Sequence, residues 1–418
     1  MTQIATERWP GIIRTPRTPI KARVAAALLR PTANRTPVRL TFPDRDPWGA
    51  GGPNAPEMKI VRPKAFFARL GAETKIGFGE AYMAGDWTAG DNTDLADLLT
   101  PFAERITQIV PKSLQKVRVL VDKRLPHATR NSVSGSRKNI EAHYDLSNDM
   151  FEAFLDPTMS YSSAWFEDGA DANGAEESLE SAQLRKIDGI LDQAGVTKGT
   201  RVLEIGSGWG ALAVRAAERG AHVTTITIST EQAALARERF AAAGPEIEKL
   251  IDLQLVDYRE ATGEFDAIVS VEMIEAVGEE YWPTYFAKID ELLAPGGKVS
   301  IQAITMEHHR YLATRNSYGW IQKYIFPGGL LPSLEAIDQN LADHTGGLQV
   351  TQKRSLGQDY ARTLRQWRTN FNNNWASASG HGFDETFRRM WEFYLAYCEA
   401  GFKTRYIDVY QLQMQRAH

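Results

Sequence analysis

From Arg201 onward, short β-branched runs alternate with stretches of helical periodicity, a rhythm that few architectures accommodate. The runs fall at residues 201–205, 223–228, 251–256, 267–271 and 298–301, separated by helical patterns such as 231–243 and 281–293. Strands that each return through a helix lie parallel and need apolar cover on both faces. Residues 140–418 therefore read as one α/β domain with a mostly parallel, Rossmann-like sheet. No internal repeat or low-complexity tract competes with this reading.

The first run ends in Val202-Leu-Glu-Ile-Gly-Ser-Gly-Trp-Gly210 and opens a helical pattern at 211–219. A glycine turn between a first strand and a helix lets backbone approach a ligand that side chains would hold off. The spacing is Gly-x-Gly-x-Gly, and the acidic Glu204 precedes the first glycine. A dinucleotide pyrophosphate gains nothing from an anion there, which counts against a nicotinamide oxidoreductase, whereas the ammonium group of S-adenosylmethionine does gain from it. Leu292-Leu-Ala-Pro-Gly-Gly-Lys298 then precedes a strand at 299–304. This arrangement resembles the sheet of class I S-adenosylmethionine-dependent methyltransferases. The second strand lacks the usual terminal acid for a ribose and reads Thr225-Ile-Thr-Ile-Ser-Thr-Glu-Gln232.

His143-Tyr-Asp-Leu-Ser-Asn-Asp149 and Phe154-Leu-Asp-Pro-Thr-Met-Ser-Tyr-Ser-Ser-Ala-Trp-Phe166 narrow the likeness. With Gln183, Lys186, Glu272-Met-Ile-Glu-Ala-Val-Gly278, Tyr324-Ile-Phe-Pro-Gly-Gly-Leu-Leu-Pro-Ser333, Asp359-Tyr-Ala-Arg-Thr-Leu364 and Glu399-Ala-Gly-Phe402, they resemble the cyclopropane fatty acid synthases and mycolic acid cyclopropane synthases over most of residues 58–415. The resemblance implies an S-adenosylmethionine pocket formed by Tyr161 and Ser162, by Glu204, Gly206, Gly208, Trp209 and Gly210, by Thr227, Ile228, Ser229 and Gln232, and by Tyr258 with Arg259. It puts the methionine end at Glu204 and the glycine turn, the ribose hydroxyls at Gln232 and the adenine at Tyr258. It also implies a bound bicarbonate as general base, held by a Cys, a Glu, a His, an Ile backbone amide and a Tyr. Glu275, Ile304 and Tyr360 match those positions, while Ser163 stands for the Cys and Gln302 for the His. Both replacements are uncharged hydrogen-bonding groups. Either an anion held through Ser163, Gln302 and Tyr360, or Glu275 itself, then serves as base.

The acceptor that the family implies is the cis double bond of an oleoyl-type phospholipid acyl chain. An alkene is a poor nucleophile, so the sulfonium must be held in line in a dry pocket. The carbocation that follows is stabilised by aromatic faces, and Trp165, Phe166, Tyr318, Trp320, Tyr324, Phe326 and Trp367 lie near the motifs. Proton loss from the new methyl group closes a cyclopropane. A hydride shift before loss from that same carbon leaves an exocyclic methylene, which the altered base positions favour: a 10-methylene chain that a separate reductase converts to 10-methylstearate. A cyclopropane synthase, a small-amine N-methyltransferase and a non-catalytic S-adenosylmethionine-binding partner are the alternatives.

Ahead of the α/β domain the chain divides in three. Residues 1–57 carry prolines at 10, 16, 19, 31, 37, 43, 47, 53 and 56 and read as a poorly ordered basic arm. Its one helical stretch, 20–30, sets Ile20, Val24, Ala27 and Leu28 on one face beside Lys21, Arg23 and Arg30. Residues 58–111, with Gly77-Phe-Gly-Glu-Ala-Tyr-Met-Ala-Gly-Asp-Trp87, resemble the small N-terminal domain of longer bacterial members, which implies a homodimer. Residues 112–139 hold eight basic residues and one acid and read as a linker. Two basic segments on a chain of net charge −4 point to an anionic membrane surface. The linker lacks the interleaved aromatics that single-stranded nucleic acid requires, so nucleic acid is set aside. The basic start of the chain also has the balance of a mitochondrial presequence. One cysteine, Cys398, excludes an internal disulfide and a cysteine-based zinc cluster and suits a reducing compartment. No apolar run approaches the ~20 residues of a membrane span. The expected location is the cytoplasm, against the inner face of the membrane.

Overall fold

In the computed structural model, which describes residues 9–109, 148–167, 177–379 and 383–417, the β-branched runs become strands. The 112–139 linker and residues 143–147 of the first motif lie outside the described residues. The chain divides into two compact units, each assembled from separated stretches. Met1–Arg124, Ser317–Pro327 and Trp367–Tyr406 make the first; Leu125–Asn316, Gly328–Gln366 and Ile407–His418 make the second. This differs from the contiguous division read along the sequence, because contacts between distant stretches leave no mark on local composition.

In the first unit, strands β1 (Arg39–Thr41), β2 (Glu57–Ile60) and β3 (Trp87–Ala89) pair in that order, β1 parallel to β2 and β2 antiparallel to β3. The stretch read as a poorly ordered arm thus supplies a strand and, before it, the helix Pro19–Ala33. Counting prolines overstated the disorder: Pro19 occupies the first helical position, where its missing amide costs no bond. The helix packs closely on Pro63–Ala72, since a Cβ at Gly71 would meet the Lys21 carbonyl carbon at 2.5 Å. That approach turns Ile20, Val24 and Leu28 outward, 76%, 53% and 57% exposed. Arg69, buried, pairs with Asp86 at 2.9 Å and donates to the carbonyls of Gly11 and Ile12, which ties down the short helix Pro10–Ile13. Phe66, Trp87, Trp391 and Phe393 are buried in this unit.

The second unit is built on a seven-stranded sheet: β4 (Arg201–Ile205), β5 (His222–Thr227), β6 (Ile251–Leu255), β7 (Phe265–Val271), β8 (Leu293–Met306), β9 (Leu348–Ser355) and β10 (Ile407–Arg416). Their order is β6-β5-β4-β7-β8-β10-β9, parallel except that β10 runs antiparallel to both neighbours. Successive residues of a strand face opposite sides. Leu203 and Ile268 therefore join a core with Tyr285, Phe286 and Ile337 on one face, and Val202 and Ala267 join Ile190, Leu212 and Phe240 on the other.

Candidate active site

The strand order reverses between β4 and β7, and a pocket opens at the carboxyl ends of these strands, where doubly wound sheets bind ligands. Gly206 follows β4 with φ +95°, and a Cβ there would lie 2.9 Å from Met273 Cγ, so both backbone and space call for glycine. Glu204, Gly206, Gly208 and Trp209 line the pocket. The Trp209 indole donates to Asn148 Oδ1 at 3.0 Å, tying the turn to the end of the His143 motif. Gly210 instead sits at the N-cap of Ala211–Glu218 with φ +86°. Its missing Cβ leaves room for the Phe240 ring, 2.6 Å from where that atom would stand.

Beyond β5, Thr227, Ile228 and Gln232 line the pocket, and the Thr227 hydroxyl donates to Gln232 Oε1 at 3.0 Å. Ser229 caps Thr230–Ala242: its Oγ accepts the Gln232 amide at 3.2 Å and so positions that residue. Tyr161, Ser162, Tyr258 and Arg259 complete the wall. Both oxygens of Asp257 hold the Arg259 guanidinium, at 2.8 and 2.6 Å. Burial pushes the Tyr258 phenol up to about 12.

Two buried titratable side chains face this pocket. Glu204 accepts a hydrogen bond from Thr225, and burial pushes its carboxyl up to about 8. The Thr225 hydrogen bond and the charge of Lys186 oppose that rise. Lys186 donates to Ser162 Oγ at 2.6 Å, and burial brings its ammonium down to about 8. A desolvated carboxylate beside a glycine turn is stabilised by a ligand cation. The residues present therefore fit S-adenosylmethionine.

The residues expected to hold the base come together beside this pocket, around a carboxylate the sequence reading did not single out. Glu272 follows β7 directly, lines the pocket, and has φ +50°, a region that non-glycine residues rarely occupy. Its Oε1 accepts the Ser163 backbone amide at 2.9 Å and Gln302 Nε2 at 2.8 Å. Its Oε2 accepts the Tyr360 hydroxyl at 2.6 Å. The Ser163 hydroxyl, expected to donate to an anion, donates to the Ala164 carbonyl instead, at 2.9 Å. Gln302 is fixed from behind, its Oε1 accepting Gln411 Nε2 at 3.2 Å.

Glu275, three residues further on, accepts the Ile304 amide on Oε1, while its Oε2 is closed to solvent with no partner among the described residues. Burial, then repulsion from Glu272, push Glu275 up to about 8. Burial raises Glu272 as well, opposed by Tyr360, the Ser163 amide, Gln302 and the charge of Lys186. Of the pair, Glu272 has the better hydrogen-bonded carboxylate, with three donors against one for Glu275, which favours its charged form over that of its neighbour. Ser163, Gln302, Ile304 and Tyr360 are thus engaged by the chain's own carboxylates. A bound bicarbonate would find these donors taken, and the residues do not fit it.

The aromatic residues are placed differently from the sequence reading. Arg354 lies over the Trp165 ring at 4.0 Å and Arg362 over Phe166 at 4.1 Å, so a guanidinium already occupies a face of each. Tyr318, Trp320, Tyr324, Phe326 and Trp367 belong to the first unit. The signal for Glu272 was present in the sequence as a Glu-x-x-Glu step directly after the fourth strand run. Lys186 was visible only as a motif residue.

The profile of the mycolic acid cyclopropane synthetase family matches residues 131–412. The chain belongs to this family. Among its relatives, the tuberculostearic acid methyltransferase UfaA1 of Mycobacterium tuberculosis is 50% identical over 99% of this chain and 96% of its own length. The cyclopropane-fatty-acyl-phospholipid synthase of Escherichia coli is 33% identical over 87% of this chain and 89% of its own. A solved structure of the mycolic acid cyclopropane synthase CmaA1, complexed with SAH and CTAB, aligns with a TM-score of 0.59 at 30% identity, over 70% of this chain and 99% of that one. The family sheet is the class I S-adenosylmethionine-dependent methyltransferase sheet read from the sequence. No helix among the described residues is long and apolar enough to cross a membrane.

Proposed function

We propose that this S-adenosylmethionine-dependent fatty acyl methyltransferase acts on the cis double bond of an oleoyl-type phospholipid chain and leaves a 10-methylene branch. When bound, S-adenosylmethionine supplies an electrophilic methyl group. The chain's part is to hold that group through the Glu204–Gly206 turn, Gln232 and Tyr258, and to keep water from the carbocation. The observation that carries the reading is a methyltransferase pocket with a hydrogen-bonded carboxylate, Glu272, in its wall. A small-amine acceptor would also give up a proton, from its ammonium group, so it is the fatty acyl relatives that support an alkene acceptor. The 50% identity to a tuberculostearic acid methyltransferase supports a branch over a ring. Conversion of the methylene to a methyl branch adds a hydride and a proton and falls to a separate reductase.

The lipid surface is reached through Pro19–Ala33, whose outward Ile20, Val24 and Leu28 stand beside exposed Lys21, Arg23 and Arg30. An apolar strip flanked by cations suits an anionic bilayer interface. In this reading the protein works in the cytoplasm at the inner face of the membrane, as a homodimer. The deciding experiment incubates the full chain with methyl-labelled S-adenosylmethionine and oleoyl phospholipid vesicles, then examines the released acyl chains by mass spectrometry and proton NMR. Vinylidene protons are the expected result. Upfield ring protons would establish a cyclopropane synthase, and unlabelled chains would overturn acyl methylation altogether.

A further inference from the structure

We propose that Glu272 is the base of this reaction, its carboxylate standing on the chain itself where the family implies a bound bicarbonate; this rests on the acyl-methylation reading above. Three observations converge on it. Two of the donors expected for the external anion, Gln302 Nε2 and the Tyr360 hydroxyl, terminate on Glu272, joined there by the Ser163 backbone amide, all at 2.6–2.9 Å. Of the other expected donors, the Ile304 amide is taken by Glu275 and the Ser163 hydroxyl by the Ala164 carbonyl. Glu272 also reaches the cofactor pocket, which Glu275 does not line. Its left-handed backbone, φ +50°, is strain of the kind concentrated at functional sites.

The chemistry balances without any further reactant. As the alkene π pair bonds to the methyl carbon, the C–S bond breaks and its electron pair would stay on the sulfur of S-adenosylhomocysteine, so the positive charge lies on the neighbouring chain carbon. A hydride moves with its electron pair from the methyl-bearing carbon to that neighbour, and the charge now sits on the methyl-bearing carbon. A Glu272 oxygen takes one proton from the methyl group, and the vacated C–H pair becomes the exocyclic C=C bond. Such a cation surrenders a proton readily, so the base needs position and charge more than strength. Three fixed donors supply the position. Glu275, partnered only on Oε1 among the described residues, is pushed toward its neutral form by burial and by Glu272, which limits repulsion between the two carboxyls.

The test compares wild type, E272Q and E272G in buffer stripped of carbon dioxide and in the same buffer with bicarbonate restored. Wild type is expected to methylate oleoyl vesicles at the same rate in both. E272Q is expected to lose on the order of 10²–10⁴-fold in turnover, while binding S-adenosylhomocysteine in calorimetry as a folded protein does. E272G, its pocket vacated and its donors released, is expected to gain turnover when bicarbonate is added. A second arm is independent of turnover: ¹³C-bicarbonate NMR should show exchange broadening with E272G and none with wild type. Bicarbonate bound by wild type, a wild-type rate that needs it, or an E272Q variant of undiminished rate would each overturn the assignment. Wild type that labels no acyl chain would instead remove the reaction itself, and the bicarbonate arm would still report on the pocket.

Discussion

Glu275 is where burial and charge conflict most directly, and the conflict has a measurable sign. Its carboxyl titrates near 4.5 when free in water and near 8 in the folded chain. Between those values the unfolded chain has released the proton and the folded one keeps it, so stability falls as pH rises, by at most about 1.4 kcal/mol per pH unit. Below the lower value the effect vanishes. Glu275→Gln keeps the acceptor for the Ile304 amide and removes the titration. The variant's thermal midpoint should therefore gain on wild type steadily from pH 5 to pH 8 in ligand-free protein, and parallel curves would contradict the assignment. At Gly206, with φ +95° and Met273 Cγ at 2.9 Å from a would-be Cβ, alanine should cost roughly 1–3 kcal/mol. Calorimetry should show cofactor affinity at least tenfold weaker. Residues of this kind are legible in a sequence because their chemistry is their type: a glycine turn, an acid before it, a glutamine after the next strand. Glu272 was not legible as a site, because what distinguishes it is three donors arriving from three separate stretches of chain.

Among the elements, Pro19–Ala33 carries the clearest prediction. Its outward Ile20, Val24 and Leu28 support nothing inside the protein, so replacing all three by serine should leave thermal stability within about 0.5 kcal/mol. Sedimentation with anionic vesicles should weaken at least tenfold, since burying each such side chain is worth about 1.5–3 kcal/mol. Unchanged sedimentation would place membrane contact elsewhere. The helix was read at 20–30 from its periodicity and runs three residues further, through Pro31. Four of the parallel strands were read within about two residues of their bounds, because buried parallel strands are largely continuous apolar runs, whereas β8, read at 298–301, runs Leu293–Met306 through the Pro-Gly-Gly stretch read as a loop. β10 was missed for a physical reason: its buried side carries Gln411 and Gln413. Their amides donate to the Lys186 carbonyl at 3.0 Å and to the Gln193 carbonyl at 2.7 Å. Polar residues satisfied by a neighbouring helix look, in sequence, like a surface.

At the scale of the molecule, the first unit depends on stretches separated by hundreds of residues. Arg368, buried, pairs with Asp94 at 2.8 Å and with Glu399 at 2.9 Å. Arg389 donates to the carbonyls of Tyr82 and Trp87, and the Tyr82 hydroxyl donates to Glu392 at 2.8 Å. Deleting residues 1–124 would strand these groups and uncover the apolar side of Glu385–Lys403 that carries Phe393, which packs on Phe78, Tyr82 and Trp87. The shortened chain should aggregate on expression rather than yield a free-standing methyltransferase domain; a monodisperse, cofactor-binding product would refute this. The second unit has its own dependence, for β10 lies between β8 and β9 in the interior of the sheet yet follows both in the chain. A ribosome making this protein releases every other strand of the sheet first, leaving a vacant lane that only the last ten-residue strand can fill. The nascent sheet must therefore wait with two unpaired edges exposed, and a chain stopped before Ile407 has no way to close them.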